Sequence, residues 1–94
     1  MAADEPARLT VWVAGRVQGV GFRWWARARA LELNLVGSAE NLEDGRVKVI
    51  AEGLAADCEK LLELLAGPGT PGHVTGVTHR WDDPRGGLTG FTER

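Results

Sequence analysis

Arg23 stands two residues past a glycine-punctuated run, Gly15-Arg16-Val17-Gln18-Gly19-Val20-Gly21, and together they are the part of this chain best equipped for chemistry. The run separates an alternating stretch, Leu9-Thr10-Val11-Trp12-Val13, from residues of helical spacing that begin at Phe22. Its end therefore lies at the positive pole of a helix, where backbone N–H groups have no intrahelical partner. Glycines let successive peptides curl until several amides converge, a nest suited to an anion. Arg23 falls in the first turn of that helix, where a cation is disfavoured by roughly 0.3–1 kcal/mol if exposed. The placement makes sense when an anion lies between guanidinium and pole, and the planar fork of arginine can take two phosphate oxygens at once. No Gly-Lys-Ser/Thr follows, so this is not a Walker loop, and the Gly-x-x-x-Gly-x-Gly spacing is not the dinucleotide fingerprint. On the glycines alone, a tight strand-to-helix connection explains the run equally well.

Other catalytic groups are scarce. There is one serine, Ser38, and one cysteine, Cys58, which falls in a helical segment and reads as a small packing residue rather than a nucleophile. His73 sits in a loop, and His79 shares the parity of Val77 and Trp81, which makes it a partly buried strand residue rather than a base. No Cys/His spacing suits a metal. Glu40, Glu43 and Asp44 crowd a turn and read as solvated, so neither a metal nor a cofactor is expected.

The charge distribution agrees with a small anionic ligand. The net charge is −2, which argues against a general nucleic-acid binder. Yet residues 8–29 hold five arginines, Arg8, Arg16, Arg23, Arg27 and Arg29, with no Asp or Glu, while all 13 acidic residues lie elsewhere. A local positive field on a mildly acidic protein fits a small anion better than a polyanion. Arg8, Arg27 and Arg29, taken alone, are equally well explained as a solvated face.

The elements that must position these residues follow from periodicity. At 94 residues the chain is one domain. Residues 1–7 read as a flexible tail and 8–94 as the folded unit. The 9–13 stretch is a half-buried strand. Phe22, Ala26, Ala30 and Leu33 form one helical stripe, which ends at Asn34, a residue tolerant of the left-handed conformation. Residues 36–41 are a second strand, and Asp44-Gly45 is a hairpin turn leading into a third over 46–52, with Val47, Val49 and Ala51 on one face. Residues 55–66 are a helix whose apolar face is Leu61, Leu62, Leu64 and Leu65, stopped by Gly67-Pro68-Gly69. A fourth strand covers 74–81, and 88–94 is a short edge strand. The order predicts an α+β, ferredoxin-like split βαβ sandwich: an antiparallel sheet with two helices packed on one face. Trp24 and Trp25 are adjacent in the first helix and cannot both face one core. No apolar run approaches a membrane span, the N-terminus lacks a signal-peptide pattern, and a single cysteine permits no internal disulfide; all three point to a cytoplasmic protein.

Gly15-Arg16-Val17-Gln18-Gly19-Val20-Gly21-Phe22-Arg23 resembles the signature of the acylphosphatases. The segment Ala30-Leu31-Glu32-Leu33-Asn34-Leu35-Val36-Gly37, followed by Asn41 and Asp44-Gly45-x-Val47, resembles that family's second signature. The two cover about half the chain. The resemblance implies a hydrolase that cleaves the carboxyl–phosphate bond of acyl phosphates. The backbone of Gly15, Arg16, Val17, Gln18, Gly19 and Val20 would cradle the phosphate. Arg23 would bind its oxygens, and Asn41 would orient the attacking water through its side-chain amide. The implied partner is a small-molecule acyl phosphate, with no nucleic acid, no membrane and a monomeric protein. Ser38 and Ala39 stand where the family usually has tryptophan and valine, Asn34 where it usually has glycine, and His79 where it is usually aliphatic; a more loosely packed second strand is the expected consequence.

Three rivals remain at this level. An RNA-binding module would use aromatics on the open sheet face, and Trp12 could lie there, but the third strand offers Lys48, Ile50 and Glu52 instead of aromatics. A regulatory domain could bind the anion without turning it over. A domain of a larger maturation enzyme is the third, disfavoured by the short chain.

Overall fold

A computed structural model describes residues 2–94. The elements run β1 (Pro6–Arg16), α1 (Phe22–Glu32), β2 (Val36–Asn41), β3 (Val47–Leu54), α2 (Ala55–Ala66), β4 (His73–Asp82) and β5 (Phe91–Glu93). They form one five-stranded sheet in the order β4-β1-β3-β2-β5. The split βαβ arrangement is as expected, with one correction. β1 pairs antiparallel with β3 and β4, and β2 with β3, but β5 runs parallel to β2, so the sheet is mixed. The chain reaches β5 through the long 83–90 connection, which returns it to the far edge in the direction of β2.

Alternation along the strands makes the core. Leu9, Val11 and Val13 of β1 and Val47, Val49 and Ala51 of β3 are fully buried on the face that receives the helices. From α1 they meet Phe22, Ala26 and Ala30; from α2 they meet Cys58, Leu61 and Leu65. Leu62 packs at the margin of this core, but Leu64 lies outside the stripe and is exposed, so it does not belong to the apolar face expected of it. Trp25 packs on the core with its ring 6.0 Å from that of Phe22, while Trp24 is 61% exposed. Ala39 is fully buried and Ser38 nearly so, so the small residues of β2 are enclosed. Asn34 adopts φ 60°, as its place at the end of α1 predicts.

The sheet starts earlier than the expected tail boundary at residue 7. β1 begins at Pro6, Ala7 is fully buried, and the Ala55 and Ala56 amides at the start of α2 donate to the Glu5 and Ala3 carbonyls. Met1 lies outside the described residues. At the other end, the strand expected over 88–94 is limited to Phe91–Glu93. His79 is exposed, not partly buried. It faces the helix side of the outermost strand, where the helices no longer cover it, and its ring meets Trp81 edge-on at 6.5 Å.

The open face carries a buried polar cluster. Arg8 and Glu52 stand opposite each other across β1 and β3 and form an ion pair at 2.6 Å. Glu52 also accepts from the Arg85 and Gly86 amides, at 3.0 and 3.2 Å, which anchors the 83–90 connection to the sheet.

Candidate active site

The glycine loop takes its shape from two different constraints. Gly15, at φ 130°, sits where the β1–β4 register shifts, and a Cβ there would collide with the His73 carbonyl oxygen. Gly19, at φ 74°, has open space around it, so only its left-handed backbone requires glycine. Between them Val17 drops into the core and pins the loop from below, while Gly15, Arg16, Gly19 and Val20 remain exposed above.

Gly21 closes the loop and caps α1 in the left-handed conformation. No side chain caps the helix, and its first turn contains no acidic residue. The first amides of α1 are thus neither covered by a side chain nor screened by a carboxylate, which leaves the positive pole open to an external anion.

Gln18 ties the loop to the β2–β3 hairpin. Its Nε2 donates to the Leu42 carbonyl at 2.7 Å and to the Arg46 carbonyl at 3.0 Å. Leu42 directly follows Asn41, so this bridge fixes the loop relative to the end of β2. From sequence, Gln18 contributes only its backbone to the loop; the signal for more is a polar side chain flanked by Val17 and Gly19.

The Arg23 side chain and the Asn41 backbone amide converge on a single atom, the main-chain oxygen of Arg94. Arg23 Nη1 donates to it at 2.8 Å and the Asn41 amide at 3.1 Å. The Arg94 amide in turn donates to the Ala39 carbonyl at 2.7 Å. The Arg23 side chain and the Asn41 backbone thus share one partner, Arg94, a residue that the sequence does not single out. Asn41 Oδ1 is buried and lacks a hydrogen-bond partner, one of three such side-chain atoms among the described residues, with Arg8 Nε and Thr10 Oγ1. A buried acceptor left unpaired costs free energy, about 1–3 kcal/mol, unless a donor reaches it.

The remaining candidates lie away from this site. Cys58 is buried under β1 and β3, and burial pushes its thiol up to about 11, with Asp57 and Glu52 adding to the shift, so it is an inert packing residue. Asp44 is spent on its own turn: hydrogen bonds from the Arg46 amide and side chain hold its carboxyl below the ordinary value. Glu40 pairs with Lys48 at 3.6 Å. Among the described residues no three His, Cys, Asp or Glu side chains gather as a metal site would require, and no helix is long and apolar enough to cross a membrane.

The family model "Acylphosphatase" matches residues 9–93. An acylphosphatase of Saccharopolyspora erythraea is 64% identical over 90 residues, covering 96% of this chain and 95% of its own. One of Thermobifida fusca is 63% identical, covering 96% and 99%. The crystal structure of acylphosphatase from Bacillus subtilis superposes with a TM-score of 0.84 at 30% identity, over 94% of this chain and 98% of that one. The glycine loop, the uncapped helix pole, Arg23 and Asn41 thus sit in a chain that belongs, over nearly its whole length, to the acylphosphatase family of enzymes.

Proposed function

We propose that this protein hydrolyses acyl phosphates to a carboxylate and inorganic phosphate, acting as a cytoplasmic monomer. The phosphate is held by the backbone amides of the 15–20 loop and by Arg23, and the attacking water is oriented by Asn41. The observation that carries this reading is that Arg23, at an uncapped helix pole, and the backbone of Asn41, whose Oδ1 has no partner, meet on the same Arg94 oxygen. A water donating one O–H to Oδ1 satisfies that acceptor and directs its lone pair at a phosphorus held next to it.

The chemistry asks little more of the protein. The water oxygen forms a bond to phosphorus as the bond from phosphorus to the acyl oxygen breaks, and the electron pair leaves on a carboxylate that is already stable as an anion. No general acid is needed. The water's proton passes to a phosphate oxygen. The transition state is loose, with charge spread over the equatorial oxygens, so catalysis is mainly positioning and charge stabilisation. Arg23 and the amide cradle supply the second, and Asn41 the first.

The test is hydrolysis of benzoyl phosphate in excess EDTA by the wild type and by Arg23→Ala. Rapid chelator-resistant hydrolysis that falls by about 10²–10³ in the variant supports the reading. Failure of folded wild type to hydrolyse it would leave the cradle as an anion-binding site only.

A further inference from the structure

We infer that Arg27 is a positioning residue: it clamps β5 beneath α1 and thereby sets the carbonyl that orients Arg23. The inference rests on the phosphate-binding role proposed for Arg23. Arg27 Nε donates to the Phe91 carbonyl at 2.8 Å. Arg23 and Arg27 are four residues apart, one helical turn, and so share a side of α1. Both direct a guanidinium at a β5 or post-β5 carbonyl, Phe91 and Arg94 respectively.

The reason lies in the smallness of β5. It has three residues, lies at the sheet edge, and bonds only to β2. Gly90 and Arg94 direct their backbone groups at β2: Gly37 donates to the Gly90 carbonyl at 3.0 Å, and Arg94 donates to Ala39 and accepts from Asn41. Phe91 has the opposite parity to Gly90, so its carbonyl points off the open edge, away from the ladder. Arg27 meets it there. The contact holds the strand from its free side, and the Phe91 side chain, 4% exposed, holds it from the core. Both restraints act three residues before Arg94. Without Arg27, the strand end keeps its β2 hydrogen bonds and the Phe91 side chain but loses the restraint on its free side, so the Arg94 oxygen that Arg23 meets is held less firmly. From sequence, a solvated face explains Arg27 as well as a local positive field does; the parallel strand is what supplies it with a target.

The test is a double-substitution cycle with Arg23 and Arg27, read in kcat/KM for benzoyl phosphate, in the inhibition constant of inorganic phosphate, and in thermal unfolding. Arg27→Ala is expected to weaken phosphate inhibition about tenfold, the scale of one charge-assisted hydrogen bond. Arg27→Lys, which can still donate to a carbonyl, should recover part of that loss. In the Arg23→Ala background, Arg27→Ala should change kcat/KM little, because the group it positions is gone. Arg29→Ala on the same helix, which removes the surface pair with Glu32 and the contact with the Trp25 ring, should leave phosphate inhibition as in wild type. Arg27→Ala with unaltered phosphate inhibition, or with the same loss whether or not Arg23 is present, would overturn the inference. Should Arg23→Ala itself keep full activity, the proposed role of Arg23 fails instead, which separates the two.

Discussion

Gln18 reaches from the 15–20 loop to Leu42, the residue directly after Asn41, and donates one amide hydrogen to its carbonyl and another to that of Arg46. One side chain thus couples the loop that would hold phosphate to the strand end that would hold water. Removing it in Gln18→Ala should lower stability by about 1–2 kcal/mol for the lost hydrogen bonds and reduce kcat/KM several-fold. Gln18→Glu is the sharper test. It has nearly the same shape, yet an ionised carboxylate accepts only and would face two carbonyl oxygens. Urea unfolding and steady-state kinetics should show Gln18→Glu worse than Gln18→Ala on both counts. A glutamate variant as good as wild type would mean the bridge is dispensable.

Asn41→Ala should separate binding from turnover. The Asn41 backbone amide, which contacts the Arg94 carbonyl, survives the change, so the support for Arg23 remains. What disappears is the buried Oδ1. Turnover should fall by about 10²–10³, while the inhibition constant of inorganic phosphate stays within a few-fold of wild type. Parallel losses in both would assign Asn41 to phosphate binding rather than to the water.

Two glycines of the cradle should respond differently to alanine. Gly15→Ala meets both a disfavoured backbone and the His73 carbonyl, so β1 and β4 must separate. Gly19→Ala meets only the backbone cost, roughly 1–2 kcal/mol, because nothing lies near its missing Cβ. Urea titration should rank Gly15→Ala well below Gly19→Ala in stability. Equal losses would show that the close strand approach at Gly15 is unimportant.

Sequence periodicity located α1, β2, β3 and α2 because their apolar stripes are local signals. Phe22, Ala26 and Ala30, or Val47, Val49 and Ala51, declare a buried face without reference to any other element. The cradle and Arg23 were legible for the same reason: helix pole, glycines and arginine lie within nine consecutive residues. β5 was harder. A three-residue strand has almost no periodicity, and its parallel pairing depends on the path of the 83–90 connection, which is set by the Glu52 anchor far away in sequence. The roles of Arg27 and the Arg94 carbonyl were hidden with it. His79 misled because parity reports which face a residue points to, not whether a helix extends far enough to cover that face.

The Arg8–Glu52 pair should make stability depend on acid pH. Burial pushes the Glu52 carboxyl up, but hydrogen bonds from the Arg85 amide, the Arg8 side chain and the Gly86 amide, with the Arg8 charge, outweigh it and hold the group below its ordinary value of 4.5. A carboxyl depressed in the folded state binds its proton more readily when unfolded. Its stabilisation is therefore complete above pH 4.5 and is lost as pH falls below that, through the lowered folded value. Glu52→Gln keeps the shape but leaves Arg8 buried without a counter-charge. At neutral pH it should cost about 3–5 kcal/mol, the usual result of breaking a buried pair from one side. The gap between wild type and variant should narrow steadily as the medium is acidified, because the wild type then loses the same charge. Urea unfolding at neutral pH and at about pH 3 measures both points. A gap that stays constant between them would mean that Glu52 does not titrate with folding, and that the 83–90 connection is held by shape and hydrogen bonding rather than by charge.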